Sequence, residues 1–281
     1  MESNTEGPIN NICERITICN RKGGCGKTSV AINLSTSLTK KGFKVLALDF
    51  DPQADLTSTL GEYEPDEYRE NVKTIYDLLM KKDVILTEYI VKSKKPGLYI
   101  IPSHNDLQDT PLIKSRYVLP ILCLQSYLSH KNLDGQYDFL IIDTPPHFPF
   151  YVESALTCSD WYIIPVNAGS KFALTGLIKV IQGINAVRQE ANPKLMALGV
   201  LLTLYDGRTV VSKIMDEKLR STYGDSIFRT VITRSTIQQK AEASGQPVYD
   251  TAKTSKLAGD YRKLRSEVLK RISNGGSILN A

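Results

Sequence analysis

The sequence predicts an α/β protein, a doubly wound and mostly parallel sheet with helices on both of its faces. Apolar runs of strand length recur along the 281 residues, helical stretches separate them, and the first strand leads through a glycine-rich turn into a helix. Strands buried on both faces read as unbroken apolar runs, which is how a parallel sheet differs in sequence from an antiparallel one.

Residues 1–14 are polar and include Gly7 and Pro8, so a flexible tail is expected there, followed by a single domain over 15–281. The first strand is read at Ile16 to Asn20. A helix rich in Val30, Ile32, Leu34 and Leu38 follows, stops at Lys41 and Gly42, and gives way to the run Val45 to Leu48, completing a βαβ unit. The charged stretch Glu62 to Glu70 reads as a loop or short helix. Further strands are read at Leu98 to Pro102, Phe139 to Ile142, Trp161 to Val166, Leu198 to Leu204 and Phe228 to Thr233, with an apolar helix at Leu119 to Leu128. Leu257, Tyr261, Leu264, Val268 and Ile272 recur at helical spacing within Thr254 to Ile272, and Gly275 and Gly276 end this closing helix.

Composition removes several classes of protein. A chain 42% hydrophobic and 23% charged is neither disordered nor fibrous. No stretch approaches the roughly 18 apolar residues of a membrane span, and the polar start lacks the regions of a signal peptide, so a cytoplasmic location is expected. Cys13, Cys19, Cys25, Cys123 and Cys158 form no CxxC pair, which argues against a disulfide framework or a zinc site. His104, His130 and His147 stand in no ligand spacing and are read as loop or surface residues.

The chemistry concentrates in Lys22-Gly23-Gly24-Cys25-Gly26-Lys27-Thr28, between the first strand and the first helix. Glycines there let backbone N–H groups turn inward on an anion at a helix N-terminus, so the loop binds phosphate. Lys27 can reach outer phosphates and the Thr28 hydroxyl can ligate Mg²⁺. Position 21 is Arg, so the common G-x-x-x-x-G-K-[ST] pattern gives way to a variant with an extra lysine, Lys22. The second strand ends in Asp49-Phe50-Asp51, whose period of two sends both carboxylates to one side. Another strand ends in Asp143, at the sheet edge where open α/β folds bind ligands, and this acid would hold a Mg²⁺-bound water. Asp49 is read as a further, indirect metal residue.

These residues resemble those of the ParA/Soj family of deviant-Walker partition ATPases, within the wider group that includes MinD and the nitrogenase iron protein. The resemblance covers nearly the whole chain and rests on KGGCGKTS (Lys22 to Ser29), DFDPQAD (Asp49 to Asp55), IPSHNDL (Ile101 to Leu107), YDFLIIDTPP (Tyr137 to Pro146), IPVNAGSKFALTGL (Ile164 to Leu177) and RTVITRS (Arg229 to Ser235). It implies ATP and Mg²⁺ as cofactors, with Lys22, Gly23, Gly24, Cys25, Gly26, Lys27, Thr28 and Ser29 around the nucleotide. Lys22 would cross to the partner subunit's nucleotide in an ATP-sandwiched homodimer, and Asp51 would position the attacking water. Family members usually read Pro-Arg-Asn where this chain has Thr233-Arg234-Ser235, so Thr233 and Ser235 take the places that contact adenine.

Among the branches of that group, a nitrogenase-like protein needs cluster-ligating cysteines in glycine-containing motifs, which Cys123 and Cys158 lack. A MinD-like membrane helix does not fit Lys270 to Ala281, broken by Gly275 and Gly276. A relative of the tyrosine kinases would carry a C-terminal tyrosine cluster, and the last tyrosine is Tyr261. DNA is favoured by charge: Arg208 to Arg271 holds 14 Lys/Arg and 7 Asp/Glu, whereas the whole chain is only +5. Arg208 and Arg234 match positions where the family uses basic residues on DNA, and phosphate contacts give sequence-independent binding. No helix-turn-helix precedes the phosphate loop. The expected function is DNA partition of a plasmid or chromosome, by a nucleoid-associated ATPase released through hydrolysis stimulated by a ParB-type centromere-binding protein. The alternative is a ParA-like ATPase that positions a protein assembly on the nucleoid, and no membrane partner is expected.

Overall fold

The computed structural model describes residues 12–63, 67, 71–81, 84–147, 149–170 and 173–280. Within them, the strands are β1 Glu14–Ile18, β2 Val45–Asp49, β3 Val91–Lys92, β4 Leu98–Ile101, β5 Phe139–Asp143, β6 Trp161–Asn167 and β7 Met196–Thr203. They form one sheet in the order β3-β4-β2-β5-β1-β6-β7. Every pairing is parallel except that of the edge strand β3, where Val91 faces Ile100. The helices used below are α1 Lys27–Thr39, α2 Asp55–Leu60, α3 Pro149–Thr157, α4 Ala173–Glu190, α5 Val210–Tyr223, α6 Thr236–Ala243 and α7 Lys256–Ser273.

The two-residue period of the strands explains why the sheet is covered twice. Val45 and Ala47 pack under Leu34 and Leu38 of α1 and Leu264 and Val268 of α7, whereas Leu46 and Leu48 pack with Tyr151 and Ala155 of α3 on the other face. On β6 and β7, Ile164 and Leu202 meet Val180 and Ile184 of α4 and Leu219 of α5. Helix α1 ends where expected, with Gly42 at φ 98° taking the left-handed turn that β-carbon residues resist. Along α7, Leu257, Tyr261, Leu264, Val268 and Ile272 are all buried, as their spacing requires.

Several boundaries move. Glu14 already pairs with Phe139, and Cys13 is fully buried with its N–H on the Asp134 carboxylate, so the domain begins before residue 15. Tail residues 1–11 and most of Glu62 to Glu70 lie outside the described residues. Leu119 to Leu128 is no α-helix: a 3₁₀ turn at Pro120–Leu122 leads into further turns, and the Asn132 amide takes up the carbonyls of Ser126 and Tyr127 at 3.1 and 2.8 Å. Phe228 to Thr233 is no strand either. Phe228 and Ile232 donate to Val200 and Leu202 of β7, but the N–H groups of Arg229 and Thr230 between them go to the Glu267 carboxylate of α7, at 2.8 and 2.9 Å. The residues after α7 fold back on the sheet, where Ser277 exchanges two backbone hydrogen bonds with Ala197 and Leu279 is buried.

Candidate functional site

Register places the site. Asp143 at the end of β5 stands level with Ile18 of β1 on one side and Asp49 of β2 on the other, so the loop leaving β1 emerges beside both acids. Gly24 and Gly26 turn that loop at φ 67° and 82°. Gly26 caps α1 with no side chain, leaving the first N–H groups of the helix to an anion. A β-carbon on Gly26 would be strained by its φ and would lie 3.7 Å from Thr203, whose hydroxyl fixes the loop by donating to the Cys25 carbonyl at 2.8 Å. Cys25 itself is buried, which pushes its thiol up, and it donates to the Lys22 carbonyl.

The two lysines differ. Lys27 is 6% exposed and its ammonium touches the Lys22 carbonyl at 3.2 Å, a buried cation held by a neutral partner. Lys22 is exposed, with its ammonium on the Ser170 hydroxyl beyond β6 and its N–H on Asn20 Oδ1.

The acids also differ. Both oxygens of Asp143 are buried and make no hydrogen bond among the described residues. Burial and then the neighbouring Asp49 push its carboxyl well above the usual range, with Thr28 and Lys27 pulling the other way. An orphaned buried carboxylate beside a hydroxyl fits a hard, oxygen-ligated divalent cation such as Mg²⁺. No group of three or more His, Cys, Asp or Glu that could itself hold a metal occurs among the described residues. Asp49 is fully buried and turned into its own loop, accepting from Asp51 N and from Thr57 N and Oγ1 at 3.1, 2.8 and 2.7 Å. Its carboxyl rises to about 7, chiefly through burial. The expectation that Asp49 and Asp51 share one side of a strand fails because β2 ends at Asp49. Asp51 lies in the turn that follows, half-buried, with its carboxylate on Gln53 N.

From the phosphate loop a cavity of about 920 Å³ runs towards α6, lined by Gly24, Gly26, Ser29, Thr233, Ser235 and Glu242 among others. Thr233 gives its N–H and hydroxyl to Asp260 Oδ2 at 3.1 and 2.6 Å, and the Ser235 hydroxyl caps α6 by accepting from Ile237 N. Both side chains therefore line the cavity while serving its wall. Asp260 and Thr203 escaped the sequence reading, although a lone acid between Leu257 and Tyr261 on an apolar helix face was a signal for the first. Ser29 also joins α1 to α6, donating to Glu242 and receiving from Gln238, each at 3.2 Å.

A second cavity of about 700 Å³ lies behind the same wall and is strongly basic, with Arg208, Arg229, Arg234, Lys256 and Lys263 around it. Asp206, Arg208, Thr233, Arg234 and Ser235 line both cavities. Arg208 is held bidentate by Asp206, through Nε and Nη2 at 2.9 Å each. Arg234 is exposed and makes no salt bridge among the described residues. His147 lies beside the loop leaving β1, where it lines a cavity of about 390 Å³ with Asn20 and Arg21. His130 is more than a surface residue, however: it bridges Asp134 and Asp160 at 3.0 and 3.1 Å, and Asp160 pairs with Arg15 at the opposite end of β1.

A left-handed glycine loop, a buried lysine and an orphaned acid on adjacent strand ends define a P-loop protein of the nucleoside triphosphate-binding class. A family model described as an AAA domain matches residues 13–197. The chromosome partitioning protein ParA of Caulobacter vibrioides is 34% identical over 260 residues, covering 91% of this chain and 94% of that protein. The chromosome-partitioning ATPase Soj of Thermus thermophilus is 32% identical over 258 residues, covering 92% and 96%. Cobyrinic acid a,c-diamide synthase from Mycobacterium smegmatis, solved with bound ADP and magnesium, is 27% identical with a TM-score of 0.80, covering 95% of this chain and 98% of that one. The chain belongs to the ParA/Soj family of partition ATPases. Among the described residues no helix is long and apolar enough to cross a membrane.

Proposed function

We propose that this protein is a Mg²⁺-dependent ATPase of DNA partition. It dimerises around ATP, holds DNA of any sequence in that state, and lets go after hydrolysis stimulated by a ParB-type partner. The observation that supports the reading is the wall of Asp206, Arg208, Thr233, Arg234 and Ser235 that the phosphate-loop cavity and the basic one share. Lys27 and the N–H groups at the start of α1 bind the phosphates. Thr28 and, through water, Asp143 would hold Mg²⁺, which would supply charge neutralisation at the phosphates. Asp51 orients the attacking water, and Lys22 reaches the nucleotide of the second subunit. Thr233 and Ser235 border the base, while Arg208 and Arg234 take DNA phosphates.

The test is binding of the full chain to random-sequence duplex at two salt concentrations, with ADP and with a slowly hydrolysed ATP analogue. Binding is expected only with the analogue, with log K falling against log[salt] by about 0.9 per phosphate contacted. Arg234→Glu should weaken all sequences alike. Equal affinity with both nucleotides, or strong preference for one sequence, refutes the reading.

A further inference from the structure

The wall between the two cavities carries one acid that works against the surface it belongs to. The basic cavity gathers three arginines and two lysines with two acids, of which Asp260 is taken up by Thr233 while Asp206 closes on the guanidinium of Arg208. Arg208 has 91% of its side chain exposed, the most accessible cation in the ion pairs of the described residues, and would be the first to meet an approaching phosphate backbone. A carboxylate and a phosphate claim the same thing from arginine, two parallel N–H donors on one edge of the fork. Asp206 already holds that edge.

We propose that Asp206 is an intramolecular competitor of DNA phosphate at Arg208, a mask that keeps the basic cavity below its full affinity. The inference rests on the DNA-binding reading given above. The Asp206 carboxylate also accepts the Arg208 N–H at 3.1 Å, but the loop has further braces that do not use the carboxylate. Tyr205 N–H donates to Ile232, Arg234 N–H donates to the Tyr205 carbonyl, and the Thr209 hydroxyl closes the turn on the Asp206 carbonyl, all within 3.0 Å. These contacts, with a neutral acceptor left for the Arg208 N–H, keep the turn in shape without the carboxylate charge. Arg208, and more distantly Arg234, hold the carboxyl down to about 2, so the mask stays charged at any pH at which the protein works.

The test compares duplex binding by wild type, Asp206→Asn, Arg208→Ala and the double variant, each with the slowly hydrolysed ATP analogue. Asparagine keeps the acceptor for Arg208 N–H while removing the charge. Asp206→Asn should bind several-fold tighter, with a salt slope steeper by about 0.9, because Arg208 then neutralises one more phosphate. In the Arg208→Ala background the gain should disappear, since the two residues act through one contact. Asp206→Ser should reproduce the gain and covers the case in which the asparagine variant does not fold. Unchanged or weaker binding in the variants overturns the mask, and so does a gain that persists without Arg208, which would be a bulk charge effect. Should wild type bind no duplex in any nucleotide state, the DNA reading falls and the mask with it. Binding that Arg234→Glu abolishes but Asp206→Asn leaves unchanged removes the mask alone.

Discussion

Lys27 and Lys22 sit five residues apart on one loop, and their burial assigns them different work. The Lys27 ammonium is buried against a single carbonyl, so a triphosphate would replace a weak partner with a charged one. Lys27→Ala should weaken ATP binding by roughly a hundredfold, about 3 kcal/mol, read by calorimetric titration. Lys22→Ala should leave nucleotide binding close to wild type and lose the ATP-dependent dimer in light scattering, and an undiminished dimer would refute its action on a second subunit. Asp51 is half-buried with its carboxylate on one backbone N–H, free of the inward bonds that occupy Asp49. Asp51→Ala should therefore bind ATP and dimerise while hydrolysis falls about a hundredfold or more. A parallel loss of ATP affinity would make it a residue of the metal site instead. The loop and Asp143 were legible because spacing within a few residues carries them. The Thr233–Asp260 contact was not, because it exists only once α7 has folded back across the chain.

Between β6 and β7 the pairing slips by one residue, and the element-scale reason is Gly199. At φ 139° it lets the Ser226 carbonyl and the Arg271 guanidinium of α7 approach so closely that a β-carbon would lie 2.4 and 2.8 Å from them. Arg271 uses that approach to donate to the carbonyls of Leu198 and Ile227, both at 2.8 Å. Gly199→Ala should cost about 3 kcal/mol, seen as a lower midpoint in thermal unfolding, and a change within a few tenths would show that the wall yields easily. The same region shows why one strand was misread. Phe228 to Thr233 has the apolar content of a strand, but a carboxylate from α7 takes two of its N–H groups, a competitor that no window of neighbouring residues contains. The two-residue edge strand β3 went unread, whereas the longer strands were legible because their partners are strands and their runs unbroken.

For the whole molecule, the site is a convergence: β1, β2, β5, β7 and the segment before α6 each supply one part of it. A ligand that binds all of them must stabilise the fold as a unit. ATP with Mg²⁺ at a hundred times its dissociation constant should add about 2.7 kcal/mol, and chelating the metal should remove most of the resulting rise in the unfolding midpoint. No rise would mean the parts do not act together. The strand order has another outcome, in time rather than in energy. β1 lies between β5 and β6, so Glu14 waits for Phe139 and Ile16 for Trp161, strands made on the order of a hundred residues later. During synthesis the phosphate loop therefore leaves the ribosome attached to a strand with neither neighbour, and the edges of that strand stay unpaired until the second half of the chain arrives.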